Sequence, residues 1–141
     1  MKLSAKASLA ALAAGLAFAT AACSGSDAGG DDVSVGVSMK DWEIALDPTT
    51  APAGAITFDV TNDGPTTHEF EIFSGDVDPA TLPVESGVAV TDGLTLIDEV
   101  EDVTAGSTAE LSVDLEPGSY ALLCNLADHY QEGMYTTLVV E

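Results

Sequence analysis

The chain has 141 residues, with 24 acids against three lysines and no arginine, a formal net charge of −21. So little positive charge excludes grip on a nucleic-acid backbone and adhesion to an anionic membrane surface. An apolar fraction of 46%, much of it in orderly alternation, suits one domain with a buried core and argues against disorder despite the charge.

From the N-terminus, Lys2 and Lys6 precede an uncharged stretch over residues 7–22 (ASLAALAAGLAFATAA). It is short for a membrane span, which needs about 20 residues, and has the form of a secretory signal. It runs into Thr20-Ala21-Ala22-Cys23, small residues before a cysteine that resemble a bacterial lipobox. Thr20 stands where leucine is commonest. The expectation is a signal over residues 1–22 and lipidation of Cys23; the alternative is plain cleavage nearby and a secreted protein. Residues 23–32 (CSGSDAGGDD) then read as a flexible acidic Gly/Ser tether, and 33–141 as the folded domain. Such a chain is exported and held on the outer side of the cytoplasmic membrane by lipid alone. From Cys23 onward Lys40 stands against all 24 acids, a net charge of −23.

The domain begins with alternation through Val33, Val35, Val37 and Met39, the period of a half-buried strand. Trp42–Leu46 continues or restarts it, and Met39 and Trp42 are expected in core or edge packing. Pro48, Pro52 and Gly54 mark turns. Ile56, Phe58 and Val60 alternate again, and Asn62-Asp63-Gly64-Pro65 is a turn. His68, Phe70 and Ile72 share one face of the next strand. Residues 74–93 form a long connection with a short helical turn near Pro79–Leu82. Leu94–Val103 is a weak strand containing the acidic run Asp98–Asp102. Leu111, Val113 and Leu115 alternate, Glu116-Pro117-Gly118 turns, and Tyr120, Leu122 and Cys124 share a face. Tyr135–Val140 closes the domain. Short strands between turn signals predict an all-β sandwich or barrel of about seven to eight strands.

Cysteine usage narrows the chemistry. If Cys23 carries lipid, Cys124 has no disulfide partner, and a lone exported thiol needs an explanation such as metal ligation. A Cys23–Cys124 disulfide is the competing reading. The chain has only two histidines, His68 and His129. Cys124, His129 and Met134 fall within eleven residues, with spacing C-x4-H-x4-M. Two imidazoles and a thiolate with a weak axial thioether make a blue-copper electron-transfer site. The thiolate suits Cu(I) and the imidazoles Cu(II), so a geometry between the two preferences lets an electron arrive with little movement. Taken singly, each residue has a blander reading as a packed core side chain; the four together point to a metal.

The stretch Pro117-Gly118-Ser119-Tyr120-x3-Cys124-x4-His129-Tyr130-x2-Gly133-Met134 resembles the C-terminal motif of the cupredoxins, the type 1 blue copper proteins. Its spacing is closest to the auracyanin and rusticyanin types. Val60-Thr61-Asn62-x-Gly64-x3-His68-Glu69-Phe70 is similar to the segment holding that family's first histidine. The resemblance covers about residues 33–141. It implies a Greek-key β-sandwich and one mononuclear type 1 copper carrying single electrons. His68, Cys124 and His129 would be equatorial ligands and Met134 the axial one. It further implies electron exit at the edge of His129, ringed by apolar residues such as Leu126, Ala127 and Pro65. Two residues depart from the pattern. Glu69 stands where Asn or Ser often braces the ligand loops, and Thr136 where a later glycine is usual. The expected protein is a monomer, not an enzyme, whose partners are redox proteins with a basic docking face. The rivals are a copper carrier with no electron-transfer role and a metal-free structural sandwich.

Overall fold

Eleven strands and one 3-10 turn make up residues 33–141, the part of the chain that the computed structural model describes. The expected signal, Cys23 and the tether lie outside the described residues. The strands are β1 (Val33–Lys40), β2 (Glu43–Asp47), β3 (Thr50–Ala51), β4 (Gly54–Asn62), β5 (His68–Ser74), β6 (Val84–Glu85), β7 (Val88–Ala89), β8 (Thr95–Val103), β9 (Thr108–Leu115), β10 (Gly118–Leu123) and β11 (Tyr135–Val140). The 3-10 turn, Pro79–Thr81, is capped by the Asp78 side chain. The count exceeds the seven or eight expected because β3, β6 and β7 are two residues each.

Two sheets face each other, in the orders β2-β1-β4-β9 and β3-β11-β10-β5-β8, with β6-β7 a separate small hairpin. The chain changes sheet at β2–β3, β3–β4, β4–β5, β8–β9 and β9–β10, which is Greek-key wiring. Pairing is antiparallel except β1 with β4 and β3 with β11. Period-two alternation fills the space between the sheets. Val35, Val37 and Met39 meet Ile56, Phe58 and Val60 on one side, with Phe70, Ile72, Leu122 and Leu138 on the other, all buried. Phe58 packs on Phe70 with ring centroids 5.5 Å apart.

The central strand β10 is buried on both faces, as its continuous apolar run Tyr120–Cys124 requires. Its outer face, Ala121 and Leu123, forms a second cluster with Phe73, Ala89 and Tyr130. Residues 79–89 supply that cover. The long connection is therefore a strap laid over the sheet, next to the segment between β10 and β11.

Candidate metal centre

His68 opens β5 with its ring wholly buried. The turn before it is held by Asn62, which the sequence reading placed in the turn. The structure places it at the end of β4 with no exposed surface. Its carboxamide donates to the Thr66 and Val103 carbonyls, both at 2.7 Å, and accepts from the Gly64 N–H at 2.9 Å. One buried amide thus ties the turn to β8, and no donor is left unpaired. Gly64 leaves room that a side chain would fill: a Cβ there would lie 3.0 Å from Asp41 Oδ1 and 3.2 Å from His68 Nε2.

Cys124 and Met134 flank the loop between β10 and β11. The loop closes on its own backbone, Cys124 N–H to Met134 O at 3.0 Å and Met134 N–H to His129 O at 3.2 Å. That folds His129 back over Cys124. His129 Nδ1 lies 3.3 Å from Cys124 Sγ and 3.2 Å from His68 Nδ1. The donor atoms of His68, Cys124 and His129 all fall within 4.8 Å of one another. Met134 is fully buried in the same cluster as Cys124. Bonds of about 2 Å to a single ion put donor atoms roughly 3–4 Å apart, so the trio is spaced for one metal. Two imidazole nitrogens and a sulfur suit copper by softness.

The electrostatics agree with a site that binds a cation by losing a proton. Burial pushes the Cys124 thiol up to about 11, so ligation must displace its proton. The Glu69 N–H donates to Sγ at 3.4 Å, a contact that favours the thiolate once formed. Burial first, then the neighbouring His129, holds His68 below the usual imidazole range, leaving a neutral ring with a lone pair to give. Asp41 opposes that shift. Its Oδ1 is 3.3 Å from His68 Nε2, off the line of a hydrogen bond, and accepts from Thr66 Oγ1 at 2.7 Å. With Nδ1 turned to the donor cluster, the ring proton of His68 belongs on Nε2, facing that carboxylate.

Glu69, the departure from Asn or Ser, links the two ligand segments through its backbone N–H to Cys124 Sγ. Burial raises its carboxyl pKa, and the backbone of Asn125 works the other way. The strap adds three ties. Asn125 exchanges hydrogen bonds with the backbone of Ala89 at 2.7 and 3.2 Å, and Asp128 N–H reaches Gly87 O at 2.7 Å. Tyr130 donates to Pro79 O and accepts from Leu82 N–H at 3.0 Å. Thr136 sits in the β10–β11 ladder opposite Leu122.

Trp42 departs from the expected packing role. It is 47% exposed, on the turn between β1 and β2, with φ of +73°. Its ring stands edge-on to His129 with centroids 5.5 Å apart. Ala127 and Pro65 are exposed, while Leu126 is half-buried against the core. The structure brings the donor atoms of His68, Cys124 and His129 together and buries Met134 in the same cluster as Cys124, while Asp41, Asn62, Asn125, Tyr130 and Trp42 beside them were not assigned these places from the sequence. No turn residue marks Asp41-Trp42 in the sequence, since glycine or asparagine is the usual occupant where φ is positive.

Comparison with known proteins agrees with this architecture. A family model described as a cupredoxin-like domain matches residues 9–140. Rusticyanin, reduced, superposes with a TM-score of 0.61 at 19% identity, over 79% of this chain and 81% of that one. Auracyanin A from Chloroflexus aurantiacus, described as a "blue" copper protein, gives 0.56 at 23%, over 78% and 99%. The dithionite-reduced auracyanin of Roseiflexus castenholzii gives 0.58 at 19%, over 78% and 98%. No curated protein matches the chain. At these identities the structural likeness speaks for the fold, and the family model spans almost the whole sequence; the chain belongs to the cupredoxin-like family.

Proposed function

We propose that this chain is a blue copper protein that carries single electrons between redox proteins outside the cytoplasm. The observation that carries this reading is the convergence of two imidazole nitrogens and one thiol within 4.8 Å at one end of the sandwich. His68, Cys124 and His129 would hold the metal, with the Met134 thioether as a weaker fourth donor. Bound copper would supply the one-electron step between Cu(I) and Cu(II). The protein's own work is to keep the donors fixed between the preferences of the two states. Asn62, Glu69 and the strap restrain both ligand segments, so little reorganises when charge changes. Cys124 gives up its proton on loading, and the buried site keeps water from the sulfur.

The location rests on sequence alone: a signal over residues 1–22, lipid on Cys23 and a short tether to the domain. The protein is a monomer with no substrate of its own. The rival is a copper carrier, and retention separates the two. Copper-loaded protein, cycled between dithionite and ferricyanide beside a Cu(I) chelator, keeps its metal if it carries electrons. Transfer of the metal to the chelator on reduction would mark a copper carrier instead.

A further inference from the structure

We propose that Trp42 is the contact through which the centre exchanges electrons, and that its turn is built to receive a redox protein with an apolar spot inside a basic rim. This rests on the electron-carrier reading above. Among the four candidate ligands, His68, Cys124 and Met134 have no exposed surface, whereas His129 is half-buried. Electrons therefore leave by way of His129, and the exposed aromatic ring against it is Trp42.

The turn touches both histidines. Asp41 faces His68 Nε2 and Trp42 faces His129, so adjacent residues of a two-residue loop address the two imidazoles from outside the ligand segments. Lys40 and Glu43 pair across its base. A bulky residue at φ +73° is held there against its backbone preference, a choice that stability alone does not explain. Gly133 packs under it, its Cβ direction 3.5 Å from Trp42 O.

The surroundings select the partner. An exposed indole is the side chain most often found at the centre of a contact that carries binding energy. Asp41 and Glu43 flank it in sequence. Exposed Asp63 follows, its N–H bonded to Met39 O near the base of the turn, and exposed Glu132 precedes Gly133. Lys40 is the one lysine or arginine among the described residues. An apolar ring framed by acids fits an apolar spot framed by lysines or arginines.

The test uses the copper-loaded chain and a basic c-type cytochrome as the probe. One electron passes from the reduced centre to the ferric haem; no bond forms or breaks and no proton moves. Trp42→Gly removes the ring and relieves the backbone, so its thermal midpoint should not fall. Its visible copper band should be unchanged, and its second-order rate about tenfold lower or more. Trp42→Phe should restore most of the rate. Leu96→Ala, an exposed apolar residue at the far end of β8, should leave the rate alone. The single tryptophan also gives one indole resonance, which should be among the most shifted when reduced cytochrome is added to the Cu(I) form. A Trp42→Gly rate equal to wild type, or a loss of rate matched by loss of the copper band, overturns the proposal. So do shifts confined to other surfaces. A wild-type chain that binds no copper, or binds it without exchanging electrons, would instead remove the electron-carrier reading.

Discussion

At the scale of single residues, burial decides the chemistry. Cys124 has no exposed surface and a thiol pushed up to about 11, so it stays protonated until a metal competes for the sulfur. Glu71 is shifted in the same direction. It lies opposite Glu99 across β5 and β8, one carboxylate oxygen is buried without a partner, and burial raises its pKa to about 8. Unfolded, the group titrates near 4.5, so between about pH 4.5 and 8 the folded state holds the extra proton. Stability from this group falls as pH rises through that window. Glu71→Gln should raise the melting temperature at pH 8 by several degrees, since about 1 kcal/mol is worth ~4–8 °C in a domain this size, and leave it little changed at pH 4. Calorimetry at both pH values checks the sign. Met134→Leu should keep the copper and raise the reduction potential, because a weak donor to Cu(II) is lost. The expected size is on the order of a tenfold change in the Cu(II)/Cu(I) balance, about 59 mV for one electron. A potential that stays or falls would show that Met134 is not a donor to the metal.

At the scale of elements, the chain between β5 and β8 is the part that works without carrying a ligand. It ties down the Cys124–Met134 loop at Asn125, Asp128 and Tyr130. Tyr130→Phe removes the hydroxyl that both donates to Pro79 O and accepts from Leu82 N–H. The expected cost is about 1–3 kcal/mol, read as a lower denaturation midpoint. No change would mean the strap does not depend on that hydroxyl. The strap was only partly legible in the sequence. Asp78-Pro79 signals the 3-10 turn, but β6 and β7 are two residues each, set by contacts distant in sequence. The strands β1, β4, β5 and β9 showed clearly because one face of each meets the core at a period of two. The strand β8 showed weakly because it is an edge, mostly exposed, with register irregularities against β5. Its acids keep that edge from pairing with other chains. The convergence of His68, Cys124 and His129 was legible because it depends on residue type and spacing. Trp42 was not, because its place depends on a backbone angle that tryptophan rarely adopts.

At the scale of the whole molecule, charge governs encounter. The described domain holds Lys40 against nearly all the acids, so two copies repel while a basic partner is drawn in. Salt should therefore act with opposite signs. Raising ionic strength through 0.1 M, where the Debye length is about 10 Å, should slow exchange with a basic cytochrome and speed self-exchange between copies. Insensitivity of both would leave the acids as solubility alone. Beneath the encounter lies the claim that His68, Cys124 and His129 share one copper. The visible absorption of the Cu(II)-loaded chain beside Cys124→Ala tests it most directly. An intense thiolate-to-Cu(II) band in the wild type, absent from the variant, is the expected result. A colourless copper adduct of the wild type, or a band that survives in Cys124→Ala, would contradict it.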